Sequence, residues 1–259
     1  MNGVAFFGVR LAYVSSAQEL RKRFLEFLNG DATHVVVTPN PEILVRARND
    51  ARFAQYLNAA DFALPDGFGT VLLARIFKST IRRWPGIDAA LLLLEEAQVR
   101  NLRVLLLGGF DGIAARAAQN FTERFPGLHV SAIGDGVFFS NDGVVVDGDE
   151  AAILAAIRAL DPHVVLVGLG APKQEAWIVR YRDAFPSVRV MMAVGGAFDV
   201  WGGRVRRAPR FFRMLGVEWI WRLMGEPRRF SRIFRATILF PWYVLRERTP
   251  PVKAGVEKG

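Results

Sequence analysis

"PHVVLVGLGAPKQE", residues 162–175, decides the fold. Val164 to Val167 contain no polar residue, Gly168 and Gly170 break the run, and a helical stretch opens at Pro172. A strand covered on both faces has no solvent side, so it reads as a continuous apolar run rather than an alternation. The same grammar recurs in "HVVVTPN" (34–40), "DFALPDG" (61–67), "LRVLLLGG" (102–109), "LHVSAIGDG" (128–136) and "VRVMMAVGG" (188–196). Helical stretches are expected between these runs, over Pro41–Asn58, Gly86–Arg100, Gly112–Phe125, Glu150–Leu160 and Pro172–Phe185. Such alternation predicts an α/β fold, a Rossmann-like and mostly parallel sheet flanked by helices.

The chain has 259 residues, long enough to bury a full core without a staple. It has no cysteine and only three scattered histidines, which excludes disulfides, thiolate metal sites and a cysteine nucleophile and argues against a histidine-built metal site. The N-terminal "MNGVAFFGVRLAYVSS" lacks the basic segment and long apolar core of a signal peptide, and no apolar stretch reaches the length of a membrane span. The expectation is a cytoplasmic protein.

The charge is lopsided. Residues 200–259 carry 14 Lys and Arg against 4 Asp and Glu, whereas residues 1–199 carry 20 against 21. We therefore expect a catalytic domain over 1–202 and a basic amphipathic helical C-terminal appendage over 203–259, with an anionic partner for the latter.

Parallel sheets bind ligands beyond the carboxyl ends of their strands. Read off there, the sequence supplies Thr38, Asn40, Asp66, Gly108, Gly109, Lys173, Gln174 and Asp199. Asn40, followed by Pro41 and Glu42, could equally be a helix cap. Asp66 lies between Pro65 and Gly67, neighbours that suit a tight turn presenting its carboxylate to a cleft. His34 and His163 open strands and read as structural. The lone Asp-x-Asp, Asp147 to Asp149, reads as a polar turn ahead of a helix rather than a metal site.

Taken in order, "TPNPEIL", "LPDGFG", "RRWPGID", "LLLGG", "GDGVF", "VGLGAPKQEAWI" and "AVGGAFDVWGG" resemble the WecG/TagA/CpsF family of bacterial glycosyltransferases. The resemblance implies inverting, metal-independent transfer from a UDP-sugar (an N-acetylmannosamine type, glucose or a uronic acid) to a polyprenyl-diphosphate-linked saccharide at the inner membrane face, in teichoic acid or polysaccharide synthesis. It also makes a homo-oligomer plausible and assigns the acid of "LPDG" as base. Inverting transfer to a hydroxyl does need a base within hydrogen-bond reach and something to neutralise the departing diphosphate. Asp66 suits the first role. Arg83, in "RRWPG", suits the second because guanidinium grips phosphate bidentately. Thr38, Asn40 and Gln174 would orient hydroxyls, with Lys173, Arg207, Arg210 and Arg213 adding cationic contacts.

In "EPRRFSRIFRATILF", Phe230, Ile233, Phe234 and Ile238 recur at helical spacing, and Arg228, Arg232 and Arg235 line another side. This predicts a helix lying on an anionic membrane surface. A nucleic-acid-binding protein would use the same tail but leave the ring around Asp66 without purpose. A dinucleotide-dependent oxidoreductase would carry a fuller glycine fingerprint than "LLLGGFDG".

Overall fold

The computed structural model describes residues 3–214, 218–225, 230–247 and 252–253. The chain opens with a hairpin, β1 (Gly3–Phe6) and β2 (Val9–Ala12), followed by α1 (Ala17–Asn29), β3 (His34–Val37), α2 (Pro41–Asn49) and α3 (Ala51–Asn58). Next come β4 (Phe62–Ala63), α4 (Phe68–Ile76), α5 (Gly86–Val99), β5 (Arg103–Leu107), α6 (Ile113–Arg124) and β6 (His129–Ile133). A small hairpin, β7 (Phe138–Phe139) and β8 (Val145–Asp147), precedes α7 (Glu150–Leu160), β9 (Val164–Val167), α8 (Lys173–Tyr181), β10 (Val190–Ala193) and α9 (Ala197–Trp201). The last part contains α10 (Arg210–Met214), α11 (Glu218–Gly225), α12 (Phe230–Phe234), α13 (Phe240–Arg246) and β11 (Val252–Lys253).

All six expected runs are strands of one parallel sheet, ordered β4-β3-β10-β9-β5-β6. Successive residues of a strand face opposite sides. Val36, Leu106, Leu166 and Met192 accordingly point into one core, with α1, α5, α6 and α9. Val35, Leu105, Val165 and Met191 point into the other, with α2, α3, α8 and α13. Both faces are buried along β3, β4, β5, β9 and β10, which is why these strands could not alternate; the edge strand β6 stays partly exposed.

The structure adds to the expected elements α4, α9 and the β7–β8 hairpin, and differs from them elsewhere. The stretch 41–58 is two helices, because the Asp50 carboxylate accepts from Phe53 N–H and starts a new one. The N-terminal hairpin went unforeseen; it turns at Phe7 and Gly8, both with positive φ, and β1 pairs with β11. Phe240 and Val244, finally, join the second core from within the basic C-terminal part. A π-helical segment, Arg235–Leu239, joins α12 to α13. It ends two residues before Pro241, whose ring would clash with a carbonyl four residues back in a regular helix. Phe240 is fully buried beyond this turn, against Phe6 at 5.4 Å and edge-on to Phe7 at 5.9 Å.

Candidate active site

Because the strands are parallel, their carboxyl ends share one edge, and the sequence-predicted ring lies along it. Asp66 follows β4. Its backbone N–H donates to Pro39 O, and Trp84 N–H donates to Pro65 O, so the "LPDG" turn is pinned between the loops after β3 and before α5. Gly67 has φ +89°, and a Cβ there would meet Pro41 Cδ at 2.5 Å. Only glycine fits.

The Asp66 carboxylate accepts from Gly67 N–H at 2.6 Å and from Gly86 N–H, at the start of α5, at 3.3 Å. It therefore caps α5 across space rather than α4 in sequence. Arg83 Nε lies 3.4 Å away, and Arg83 Nη2 donates to Glu218 of α11 at 3.0 Å. The Asp66 side chain keeps 24% of its surface exposed. Desolvation nevertheless raises its pKa above the ordinary value, and Arg83 and the two N–H donors only partly offset this. Thr38 adjoins this group, for a Cβ on Gly86 would meet its Oγ1 at 2.7 Å.

Asp66 opens into a cleft of about 430 Å³. Asn40, Glu42, Arg83 and Glu218 give it polar groups, and Phe68, Leu72, Ile233 and Pro241 give it apolar walls. Asn40 is indeed a cap, its Oδ1 accepting from Ile43 N–H at 3.0 Å, while also facing the cleft. Arg232 reaches both Glu42 oxygens at 2.9 Å, and Arg235 lies 3.9 Å from the same carboxylate. The terminal helix thus forms one wall.

Gln174 is placed differently. It is buried, its Oε1 accepts from Gly195 N–H at 3.0 Å, and its Nε2 donates to Glu175 Oε1 at 2.8 Å. Glu175 is also buried, its Oε2 has no hydrogen-bond partner among the described residues, and burial pushes its pKa up to about 7. Lys173 occupies the first turn of the same helix.

A second group lines the edge beyond β5 and β6. Gly108 and Gly109 have φ near +98° and +97°, and a Cβ at Gly108 would strike Leu169 at 2.4 Å. Asp135 accepts from Gly112 N–H at 3.0 Å. Arg204 ties this loop to Asp199, lying 3.6 Å from both Asp111 and Asp199. Arg207 pairs with Asp88 in the first turn of α5 at 2.6 Å. Arg210 is exposed on α10; the side chain of Arg213, and Arg228 altogether, lie outside the described residues.

The expected tail stripe divides. Phe230, Phe234 and Ile238 are exposed, whereas Ile233 turns toward the cleft. Asp149 caps α7, accepting from Ala152 N–H at 3.0 Å, and Asp147 ends β8. Among the described residues, no three His, Cys, Asp or Glu side chains converge as metal ligands would. His34 stacks on Phe27 and His163 accepts from Arg103 N–H, both structural. Sequence reading missed Glu42, Arg204 and Glu218. Glu42 was visible as a first-turn acid, but Glu218 lies in an Arg- and Trp-rich stretch and meets Arg83 only through folding.

Such an edge can take a proton from a hydroxyl at Asp66 while guanidinium groups hold a phosphorylated partner, the chemistry of a group-transfer enzyme. Comparison with known proteins gives the same class and narrows it. The chain belongs to the glycosyl transferase WecG/TagA/CpsF family, whose profile matches residues 4–254. It is similar to the N-acetylglucosaminyldiphosphoundecaprenol N-acetyl-beta-D-mannosaminyltransferase of Bacillus spizizenii, 35% identical over 80% of this chain and 77% of that one. The Staphylococcus aureus protein of the same name is 32% identical over 76% of this chain and 74% of its own. The protein is a glycosyltransferase.

Proposed function

We propose that this glycosyltransferase moves an N-acetylmannosamine-type sugar from a UDP donor to an N-acetylglucosamine linked through diphosphate to a polyprenol, with inversion and without a metal. The relatives' names support both sugars. The observation that carries the reading is the Asp66 carboxylate, held by two backbone N–H groups beside Arg83 and desolvated at the mouth of a partly apolar cleft.

The acceptor hydroxyl loses its proton to Asp66 as its oxygen attacks the anomeric carbon. The bond from that carbon to the UDP oxygen breaks on the opposite face, and UDP leaves with the electron pair. A single displacement on an α-linked donor gives the β linkage in the relatives' names. Arg83 balances diphosphate charge, exchanging its contact with Glu218 for phosphate oxygens. Thr38 and Asn40 orient the acceptor; Gln174, buried and bonded to Gly195 N–H, sets the backbone at the centre of the edge where the reacting sugar lies. Gly108, Gly109, Lys173 and Asp199 hold the nucleotide, with Arg207, Arg210 and Arg213 nearby. The base within the chain's own apolar cleft favours this reading over a nucleic-acid-binding role for the tail.

The enzyme works at the inner membrane face, attached through its exposed terminal helix. No helix among the described residues is long and apolar enough to cross a membrane. Residues 203–259 act as the lipid-facing part, with 1–202 as the catalytic part. The test is UDP release with a short-chain lipid-diphosphate acceptor across a set of UDP-sugars. UDP-N-acetylmannosamine should support turnover, and no release with any donor would overturn the proposal.

A further inference from the structure

Helix α4 starts two residues after Asp66 and is amphipathic in the wrong sense for a solvated helix. Thr70, Val71, Leu73 and Ala74 are buried on its inner side. Its outer side carries Phe68, Leu72 and Ile76, one turn apart and 46%, 46% and 56% exposed, where a surface helix normally places charge. No acid occurs between Asp66 and Trp84, yet four cations do: Arg75, Lys78, Arg82 and Arg83. Arg75, Lys78 and Arg82 are exposed. Across the cleft, Phe234 and Ile238 stand exposed beside Arg232 and Arg235.

We infer that α4 is a second membrane-docking element, inserting Phe68, Leu72 and Ile76 among the headgroups of an anionic bilayer while Arg75, Lys78 and Arg82 contact lipid phosphates. This rests on the lipid-linked acceptor proposed above. Apolar side chains ringed by cations are what an interfacial helix presents to anionic lipid. A second copy of this chain is the poorer occupant, since a twofold contact sets the same patch against itself and would oppose cation to cation. Docking through α4 also has a mechanical consequence. The turn that joins α4 to Asp66 is pinned by backbone hydrogen bonds and by Pro41. A helix seated on the bilayer thereby fixes the base at the depth where a lipid diphosphate emerges.

The absence of cysteine makes a direct test simple. Ile76→Cys carries an environment-sensitive fluorophore, and Val99→Cys, 77% exposed at the end of α5, is the control. With mixed phosphatidylcholine and phosphatidylglycerol vesicles, the label at 76 should shift to the blue and resist an aqueous quencher, and the label at 99 should not. Ile76→Glu in the full chain should weaken vesicle binding roughly tenfold while leaving turnover on a water-soluble acceptor unchanged. A label at 76 that stays quenchable on protein bound to vesicles would overturn the role of α4 and leave tail attachment standing. Protection that grows with protein concentration without vesicles would instead assign the face to a second copy. Failure of the unsubstituted protein to bind vesicles would overturn membrane attachment altogether.

Discussion

Arg83 Nε lies 3.4 Å from Asp66 Oδ1, close enough to lower the pKa of a carboxylate that burial raises. The raised value means that activity should fall as pH drops through a midpoint above the ordinary aspartate range. Without the guanidinium that midpoint must rise further. Arg83→Met should therefore shift the acid limb of the kcat profile upward, and should lower kcat by about 10²-fold through the lost phosphate contact. An acid limb that stays in place in the variant would separate Arg83 from Asp66 electrostatically.

Glu175 offers a stability counterpart. Its folded pKa of about 7 exceeds the unfolded value near 4.5. Its contribution is therefore fully present below the unfolded value and is lost as pH rises through the folded one, on the order of 3 kcal/mol in all. Glu175→Gln, which can still accept from Gln174 Nε2, should raise the melting temperature at pH 8 and change little at pH 4.5. Equal effects at both values, measured by thermal melts, would contradict a protonated glutamic acid in the native state.

Chelation tests the metal-free reading. Turnover should persist in EDTA, because cations of the chain are proposed to stabilise the leaving diphosphate. Loss that Mg²⁺ or Mn²⁺ restores would show a substrate-bridged ion.

Deleting the chain from Gly203 would strip Phe240 and Val244 from the core that Phe6 helps to form. Replacing a buried phenylalanine by alanine alone costs about 3–5 kcal/mol, so truncation should lower the melting temperature as well as activity. Charge reversal at Arg228, Arg232 and Arg235 leaves that core in place, although it also breaks the pairing of Arg232 and Arg235 with Glu42 at the cleft, so vesicle binding rather than turnover is the readout. Vesicle binding should weaken and lose much of its salt sensitivity. Reversal that leaves flotation with anionic vesicles unchanged would remove these arginines from lipid attachment.

The strands were legible because burial on both faces writes itself as unbroken apolar runs, such as Val164 to Val167. The edge ring was legible because glycine, proline and lone polar residues end those runs. What could not be read depends on distance in sequence. Asp66 caps a helix that begins twenty residues later, Glu218 meets Arg83 across 135 residues, and Arg232 meets Glu42 across 190. The terminal helix looked detachable because its composition is basic; its anchor is a single buried stripe through Phe240 and Val244.

Whether Asp66 takes the acceptor proton is decided by the turnover of Asp66→Asn on a water-soluble acceptor. The amide keeps the shape of the turn but cannot accept a proton at neutral pH. In this variant kcat, followed as UDP release, should drop by about 10²-fold or more with donor affinity and melting temperature nearly unchanged. Near-normal kcat in a folded, donor-binding Asp66→Asn protein would contradict the role of Asp66 as the base.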